Sequence, residues 1–166
     1  MKIYLCAVLV IMFCSCQSKN KVLKEIIKVD THWLDSVKKA SDTSWSKKYR
    51  SLEFYNADYY VTKKDSIATQ VMTDSLGNVR QVVSAKYDQV RVFFAQYYAN
   101  GQLMARLSFD SLGKYNGVAT LFYETGIIKS LGSYAHGFYT GQWKNYDSTG
   151  NYTNTDVYNV EGQLVQ

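Results

Sequence analysis

Four short turns decide the fold of this chain: Asp74-Ser75-Leu76-Gly77, Tyr98-Ala99-Asn100-Gly101, Tyr123-Glu124-Thr125-Gly126 and Asp147-Ser148-Thr149-Gly150. Their glycines are 24, 25 and 24 residues apart, and such a regular step is the signature of an internal repeat. Glycine readily adopts the positive φ that a tight hairpin turn requires. Each repeat is therefore predicted to consist of two strands and two turns.

Aromatic and aliphatic residues keep the same step between the turns. Two aromatic columns are predicted, one of Tyr97, Phe122 and Tyr146 and the other of Phe109, Tyr134 and Tyr158. The alternation of polar residues with Leu103, Ala105, Leu107 and Phe109 predicts a strand with one apolar face. One repeat cannot bury such a face alone, so the repeats are expected to stack in a row. The predicted fold is mainly β: an antiparallel β-meander of repeated hairpins in one open sheet, preceded by an N-terminal helical segment.

Composition divides the chain into three segments. Residues 1–15 are expected to be a lipoprotein signal peptide, 16–66 a basic tether with a helix and a first strand, and 67–166 the β-repeat module. Residues 17–50 carry a net charge of +5 and residues 51–166 carry −1, so the basic charge belongs to the tether. A nucleic-acid-binding protein would carry a basic stripe on the folded module itself, and the near-neutral module argues against that class.

Within the tether, apolar residues recur at helical spacing between Lys21 and Ala40. Asp30-Thr31 interrupts the pattern and can cap a helix that starts just after it, so one bent helix or two short helices are expected. Its apolar stripe has two interpretations: it covers one face of the sheet, or it lies on a membrane. Residues 41–44 are expected to form a connector, and residues 52–61 to include the first strand.

The N-terminus has the layout of a secretory signal, with Lys2 followed by an apolar run too short to span a bilayer as a helix. Phe13-Cys14-Ser15-Cys16 resembles a bacterial lipobox, in the looser form of Bacteroidetes-type lipoproteins. The resemblance implies that Cys16 is acylated and anchors an exported protein in the cell envelope, with the outer membrane as the expected location. The alternative is ordinary secretion with cleavage nearby. Cleavage before Cys16 would leave no second cysteine, so no disulfide is expected in the mature chain.

Two stretches carry a further family resemblance: Phe122-Tyr123-Glu124-Thr125-Gly126-Ile127-Ile128-Lys129 and Gly137-Phe138-Tyr139-Thr140-Gly141-Gln142-Trp143. They resemble the MORN-variant repeat, in which a Tyr-Tyr-x-x-Gly turn alternates with a Gly-x-Trp-x-x-Tyr strand. The resemblance covers roughly residues 93–162. One unit departs from the pattern, with Ala119 where the next unit has Trp143. Bacterial proteins similar to this are often labelled YwqK-type antitoxins.

The sequence shows no catalytic constellation, such as a serine elbow, a phosphate loop or a set of residues at metal-ligand spacing. No enzyme activity, metal or cofactor is therefore expected; a hydrolase would need a buried group of carboxylates around His136. The candidate binding residues are aromatic: Tyr97, Tyr98, Tyr123, Trp143 and Tyr146. Since they alternate over both faces of the sheet, either one subset is open to a partner, or the helix and the neighbouring strands bury most of them.

These observations favour a non-enzymatic, membrane-anchored lipoprotein whose β-repeat module binds or scaffolds proteins at the bacterial envelope. The expected partners are the lipid bilayer, through acylated Cys16, and a protein; no nucleic acid is expected. The alternative is an antitoxin or immunity-type protein that neutralises one toxin by tight binding. The identity of the partner and the oligomeric state are open.

Overall fold

The computed structural model describes residues 23–49 and 54–166, so the expected signal peptide and Cys16 lie outside the described residues. The fold is mainly β, as predicted: ten antiparallel strands form one open sheet in which each strand pairs with the next along the chain. One helix, α1 (Thr31–Ala40), precedes the sheet. The strands are β1 (Thr43–Lys48), β2 (Asn56–Thr62), β3 (Ile67–Thr73), β4 (Val79–Lys86), β5 (Arg91–Tyr97), β6 (Leu103–Ser108), β7 (Gly117–Phe122), β8 (Ile128–Ala135), β9 (Phe138–Tyr146) and β10 (Tyr152–Tyr158).

The four glycine turns share one backbone geometry and lie at one end of the sheet, which we call the glycine-turn end. In each turn the glycine N–H donates to the carbonyl of the first residue, as from Gly101 to Tyr98 and from Gly150 to Asp147. The glycines have φ between 79° and 90°, the left-handed region that costs other residues conformational energy. The predicted repeat is therefore a repeat of hairpins.

A β-bulge follows each glycine turn and rotates the first strand residue to the other face. In β6, for example, Ala105 pairs with Gln96 but Leu103 pairs with Tyr97, so Met104 is the extra residue. The prediction that Leu103 shares a face with Ala105 and Leu107 is therefore wrong: the bulge turns Leu103 into the core beneath the helix. The residues rotated in this way by the four bulges are Val79, Leu103, Ile128 and Tyr152.

Helix α1 packs on one face of the sheet, which we call the helix face. Asp30 caps the helix, its carboxylate accepting a hydrogen bond from the Trp33 N–H at 2.9 Å. Leu34 is the buried residue of α1, and Trp33 contacts the Phe93 ring at 5.5 Å between centroids. The expected capping site is confirmed, and the helix covers part of one sheet face. The core on this face comprises Leu34, Val71, Val82, Ala95, Tyr97, Leu103, Phe122 and Ile128.

Residues 23–29 are extended, so the helical prediction for the part of the tether before Asp30 is wrong. This segment, which we call the strap, crosses the glycine-turn end on the helix-face side. The Ile128 N–H donates to the Leu23 carbonyl, and the Leu103 N–H donates to the Ile27 carbonyl. These are the N–H groups of two residues that the bulges rotate, and satisfying them outweighs the helical periodicity of the strap.

The first strand lies earlier than expected. Residues 43–48 form β1, which pairs along its whole length with β2, although part of this stretch was predicted to be a connector. Every side chain of β1 is exposed, so no apolar periodicity marked it in the sequence. Within the expected strand region of residues 52–61, the described strand is β2 from Asn56.

Candidate binding face

The second face of the sheet, which we call the open face, has no described helix or strand lying over it. Two rows of cross-strand partners define it. The first row runs through Trp45, Tyr59, Gln70, Val83, Phe94 and Leu107. The second row runs through Lys47, Ala57, Met72, Gln81, Gln96, Ala105, Leu121, Ser130, Asn145 and Asn154.

From β2 to β10 neither row contains a charged residue, and the charges of this face lie near its edges, at Lys47 on β1 and at Asp156 on β10. The adjacent row on the helix face passes through Asp58, Arg106 and Lys144, so charge is present one register position away. Val83, Phe94 and Leu107 are half-buried by their neighbours within the sheet, and the rest of their surface faces solvent. Apolar side chains with interleaved amides and no charge characterise the centre of a protein interface rather than a solvated surface.

An aromatic cluster continues the open face toward its C-terminal edge. Its members are Phe109, Tyr115, Tyr134, Tyr139, Trp143 and Tyr158. Neighbouring ring centroids lie 4.7–5.3 Å apart, within the range of favourable aromatic contacts. The predicted column of Phe109, Tyr134 and Tyr158 is thus confirmed, with Tyr115 and Tyr139 linking its members.

Trp143 is the anchor of this cluster and is only 3% exposed. Its indole N–H donates to the Ser133 carbonyl at 3.0 Å. The ring lies directly on Gly132, where a Cβ atom would stand 2.2 Å from the indole. Gly132 is therefore needed for space, because a side chain at this position would occupy the same volume as the ring.

Burial raises the pKa of Tyr134, and a hydrogen bond with Tyr139 adds to the effect. Burial likewise raises the pKa of Tyr158. Both phenols therefore stay protonated and neutral near pH 7. The cluster provides apolar surface and hydroxyl groups for binding, and it has no group poised for proton transfer.

The five predicted aromatic binding residues do not share one surface. Tyr97 is 8% exposed in the helix-face core, and Tyr146 packs against that core. Trp143 lies on the open face beneath its neighbours. Tyr98 and Tyr123 stand in glycine turns and are half-buried. The five residues thus lie in three different places: the helix-face core, the open face and the glycine turns. Their role in binding stays a prediction.

Tyr98 and Tyr123 connect successive repeats. The Tyr98 hydroxyl donates to the Phe122 carbonyl, and the Tyr123 hydroxyl donates to the Tyr146 carbonyl, both at 2.9 Å. Burial raises the pKa of Tyr98, so that this hydroxyl remains a donor. In the outer turns the first residue is aspartate, and Asp147 instead accepts from Thr149 and Asn151 within its own turn.

His136 is exposed and pairs with one carboxylate, Asp110, at 3.0 Å. The Lys114 N–H and His136 both donate hydrogen bonds to Asp110 and lower the pKa of that carboxyl. In residues 23–49 and 54–166, no three His, Cys, Asp or Glu side chains are grouped so that they could hold a metal ion. Within the same ranges, no helix is long and apolar enough to cross a membrane.

The first row of the open face was missed by the sequence reasoning. The repeat pattern does not mark the strands that contain Tyr59, Gln70 and Val83, because these strands lack the Tyr-x-x-Gly turn. Their alternation with core residues such as Val71 and Val82 was a usable signal. A strand whose residues are largely uncharged on both faces of the sheet is expected to have both faces covered. The register that aligns them across six strands could come only from the structure.

Comparison with known proteins finds the MORN repeat variant at residues 94–111 and again at residues 115–136. No curated protein is significantly similar to the chain. The two matched units span β5 to β8, the centre of the sheet, and include the glycine turns that carry Tyr98 and Tyr123. The chain therefore contains MORN repeats of the variant type, which indicates a protein- or membrane-binding repeat module.

Proposed function

We propose that this chain is a lipid-anchored protein of the bacterial envelope that binds a protein partner through the open face of its sheet. The observation that carries the proposal is the absence of charge from both rows of that face between β2 and β10. A face meant for water would carry charged residues, as monomeric proteins avoid large uncharged apolar patches.

The size of the open face suits a stable complex. Ten strands at ~4.8 Å spacing, with about five residues of each strand at ~3.4 Å, give a surface of about 800 Å². A protein–protein interface of standard size buries about 800 Å² on each partner. The exposed Tyr139 and Trp45, near its two ends, would extend the contact.

The position of the tether supports the proposed anchor. The strap, which begins at Leu23, crosses the sheet on the helix-face side and leaves the open face uncovered. The open face would then be free for a partner. Acyl chains on one cysteine hold a protein at a bilayer stably, and the basic tether adds attraction to anionic head groups.

The test is crosslinking in living cells with two matched variants, Val83→Lys and Val118→Lys. Val83 lies in the first row of the open face, whereas Val118 lies on the helix face and is 68% exposed. We expect Val83→Lys to reduce capture of the partner at least tenfold, because a buried lysine without a counter-charge is costly in an interface. Val118→Lys should capture the partner as the parent chain does.

Equal capture by both variants would contradict the proposal. In the same cells, Cys16→Ala should release the protein from the membrane fraction, and continued membrane retention would contradict the proposed anchor. Capture of a single toxic protein in stoichiometric yield, together with toxicity on deletion of this chain, would favour the antitoxin alternative for the same face.

A further inference from the structure

A cleft of about 650 Å³ separates α1 from the sheet on the helix face. The helix touches the sheet through Leu34 and through the contact between the Trp33 and Phe93 rings, and the cleft lies beside these contacts over β3 to β6. Cavities of a few hundred Å³ with largely apolar walls and a few polar groups are typical of small-molecule sites. The cleft lies on the opposite side of the sheet from the open face.

The walls of the cleft are largely apolar. Trp33 and Val37 line it from the helix, and Phe93 and Leu103 line it from the sheet. On the floor, the buried hydroxyls of Thr69 and Ser84 bond each other at 2.9 Å. These two hydroxyls therefore need no ligand partner, and the floor accepts an apolar chain.

One end of the cleft is positively charged. The Arg106 guanidinium lies 5.3 Å from the centre of the Phe93 ring and has no carboxylate within ion-pair distance among the described residues. The Tyr97 hydroxyl makes no hydrogen bond to another described residue, and burial keeps its pKa raised so that it can donate. Lys28 stands at the same end, where its ammonium donates to the Asn100 carbonyl.

Two carboxylates also line the cleft. Asp30 caps α1 through its bond from the Trp33 N–H, and its charge adds to the effect of burial in raising the pKa of Tyr97. Asp30 therefore offsets one of the two cations, Lys28 and Arg106, and leaves this end with a net positive charge. Asp65 lies in the turn between β2 and β3, beside Ile67, at the other end of the sheet. A ligand whose anionic group meets Arg106 would therefore extend its apolar part away from that group, along Trp33 and Val37.

We infer that the cleft binds a monocarboxylate with an apolar chain, such as a fatty acid. Its carboxylate accepts hydrogen bonds from Arg106 and Tyr97, and its chain lies between α1 and the sheet. Guanidinium–carboxylate pairs are among the stronger charge-assisted contacts in proteins. The proposed partner-binding function uses the other face and does not depend on this site.

The test is isothermal titration of the full chain with dodecanoate, below its micelle concentration, and with dodecanol. We expect one dodecanoate to bind per chain, and dodecanol, which has the same chain without the charge, to bind at least tenfold more weakly. Binding of several dodecanoate molecules per chain, or equal affinity for the alcohol, would overturn the inference.

Two charge-removing variants form a matched pair. Arg106→Gln should lower dodecanoate affinity about tenfold and leave dodecanol binding unchanged. Lys144→Gln removes a charge from the same row of the helix face but lies outside the cleft, so it should bind as the parent chain does. An unchanged affinity in Arg106→Gln, or an equal loss in Lys144→Gln, would overturn the inference.

A steric variant gives a second measurement if the charge change has secondary effects. Val37→Trp places a larger side chain in the cleft and should prevent binding of both ligands. Val83→Lys alters only the open face and should bind dodecanoate normally, so that a failure of this site is distinguishable from a failure of the proposed protein-binding face. Retained binding in Val37→Trp would show that the ligand lies elsewhere.

Discussion

The inner and outer repeats share a turn but differ in what the turn contacts. The outer turns, at Gly77 and Gly150, begin with aspartate, whose carboxylate accepts N–H groups of its own turn. The inner turns, at Gly101 and Gly126, begin with tyrosine, whose hydroxyl reaches the next repeat. One backbone geometry thus serves either to close a hairpin locally or to couple neighbouring hairpins.

The contacts of the strap also differ between the inner and the outer repeats. It bonds to Leu103 and Ile128, which follow the two inner glycines. At Gly126 a Cβ atom would stand 2.7 Å from the Ile26 side chain and 2.8 Å from the Glu25 carbonyl, whereas nothing lies within 4 Å of such an atom at Gly77. The inner repeats are therefore held by contacts distant in sequence, and the outer ones mainly by local contacts.

The largest effect is expected at Gly132 on β8, which lies against Trp143 on β9. Gly132→Ala should lower the free energy of unfolding by about 3 kcal/mol, because the new methyl group overlaps the Trp143 indole. Urea denaturation measures this. Gly117→Ala, at a positive φ with nothing within 4 Å, is the control for a backbone effect alone and should cost less. Gly132 has no positive φ, so a loss near zero in Gly132→Ala would show that Trp143 moves away from the new methyl group.

A comparison of Gly126→Ala with Gly77→Ala measures how much the contacts of the strap contribute to stability. Both glycines have nearly the same φ, 82° and 84°, so the backbone cost of alanine is about equal, ~1–2 kcal/mol. Gly126→Ala should cost a further ~1 kcal/mol, because it also displaces Glu25 and Ile26. Hydrogen exchange should show faster amide exchange at Ile128 in this variant alone. Matching exchange rates in the two variants would mean that the strap is not held at Gly126.

Tyr123→Phe removes one hydroxyl between repeats. It should lower the free energy of unfolding by about 1 kcal/mol, since the Tyr146 carbonyl loses its donor. Thermal unfolding is a sufficient measurement. Tyr87, which is 54% exposed, supplies the control, and Tyr87→Phe should leave the midpoint unchanged. If the two variants unfold together, the hydroxyl contact does not couple the repeats.

The smallest effect concerns pH at an outer turn. The Thr149 hydroxyl and the Asn151 N–H donate to Asp147 and lower its pKa to about 2. The folded pKa lies below the ordinary value of about 4, so this stabilisation is present above pH ~4 and is lost as pH falls toward 2. Urea midpoints at pH 6, 4 and 2.5 should therefore decline.

Asp147→Asn should flatten that decline, because asparagine accepts the same bonds without titrating. Asn159 already does so in the turn after β10, where its side-chain oxygen accepts from Glu161 and Gln163. An unaltered pH dependence in Asp147→Asn would show that other carboxyl groups cause the decline.

Much of the fold could be predicted because its signals are local. The glycine step located the hairpins, and the column of Tyr97, Phe122 and Tyr146 marked the core side. The strap was mispredicted as a helix, since its spacing of apolar residues suits a helix but its backbone groups pair with Ile128 and Leu103. The candidate binding residues were chosen as aromatic, but the burial of Tyr97 and Trp143 depends on bulges and neighbouring strands that no local pattern reveals.

The sequence by itself determined the hairpins, their order and the helix cap at Asp30, because each depends on residues a few positions apart. The tertiary structure alone decided which face of the sheet is covered. Bulges reverse the face of Leu103 and Ile128, the strap satisfies their N–H groups, and α1 packs on the side where they emerge. The rows through Val83 and Gln96 are thereby left open, since one helix can cover only one side of a single sheet.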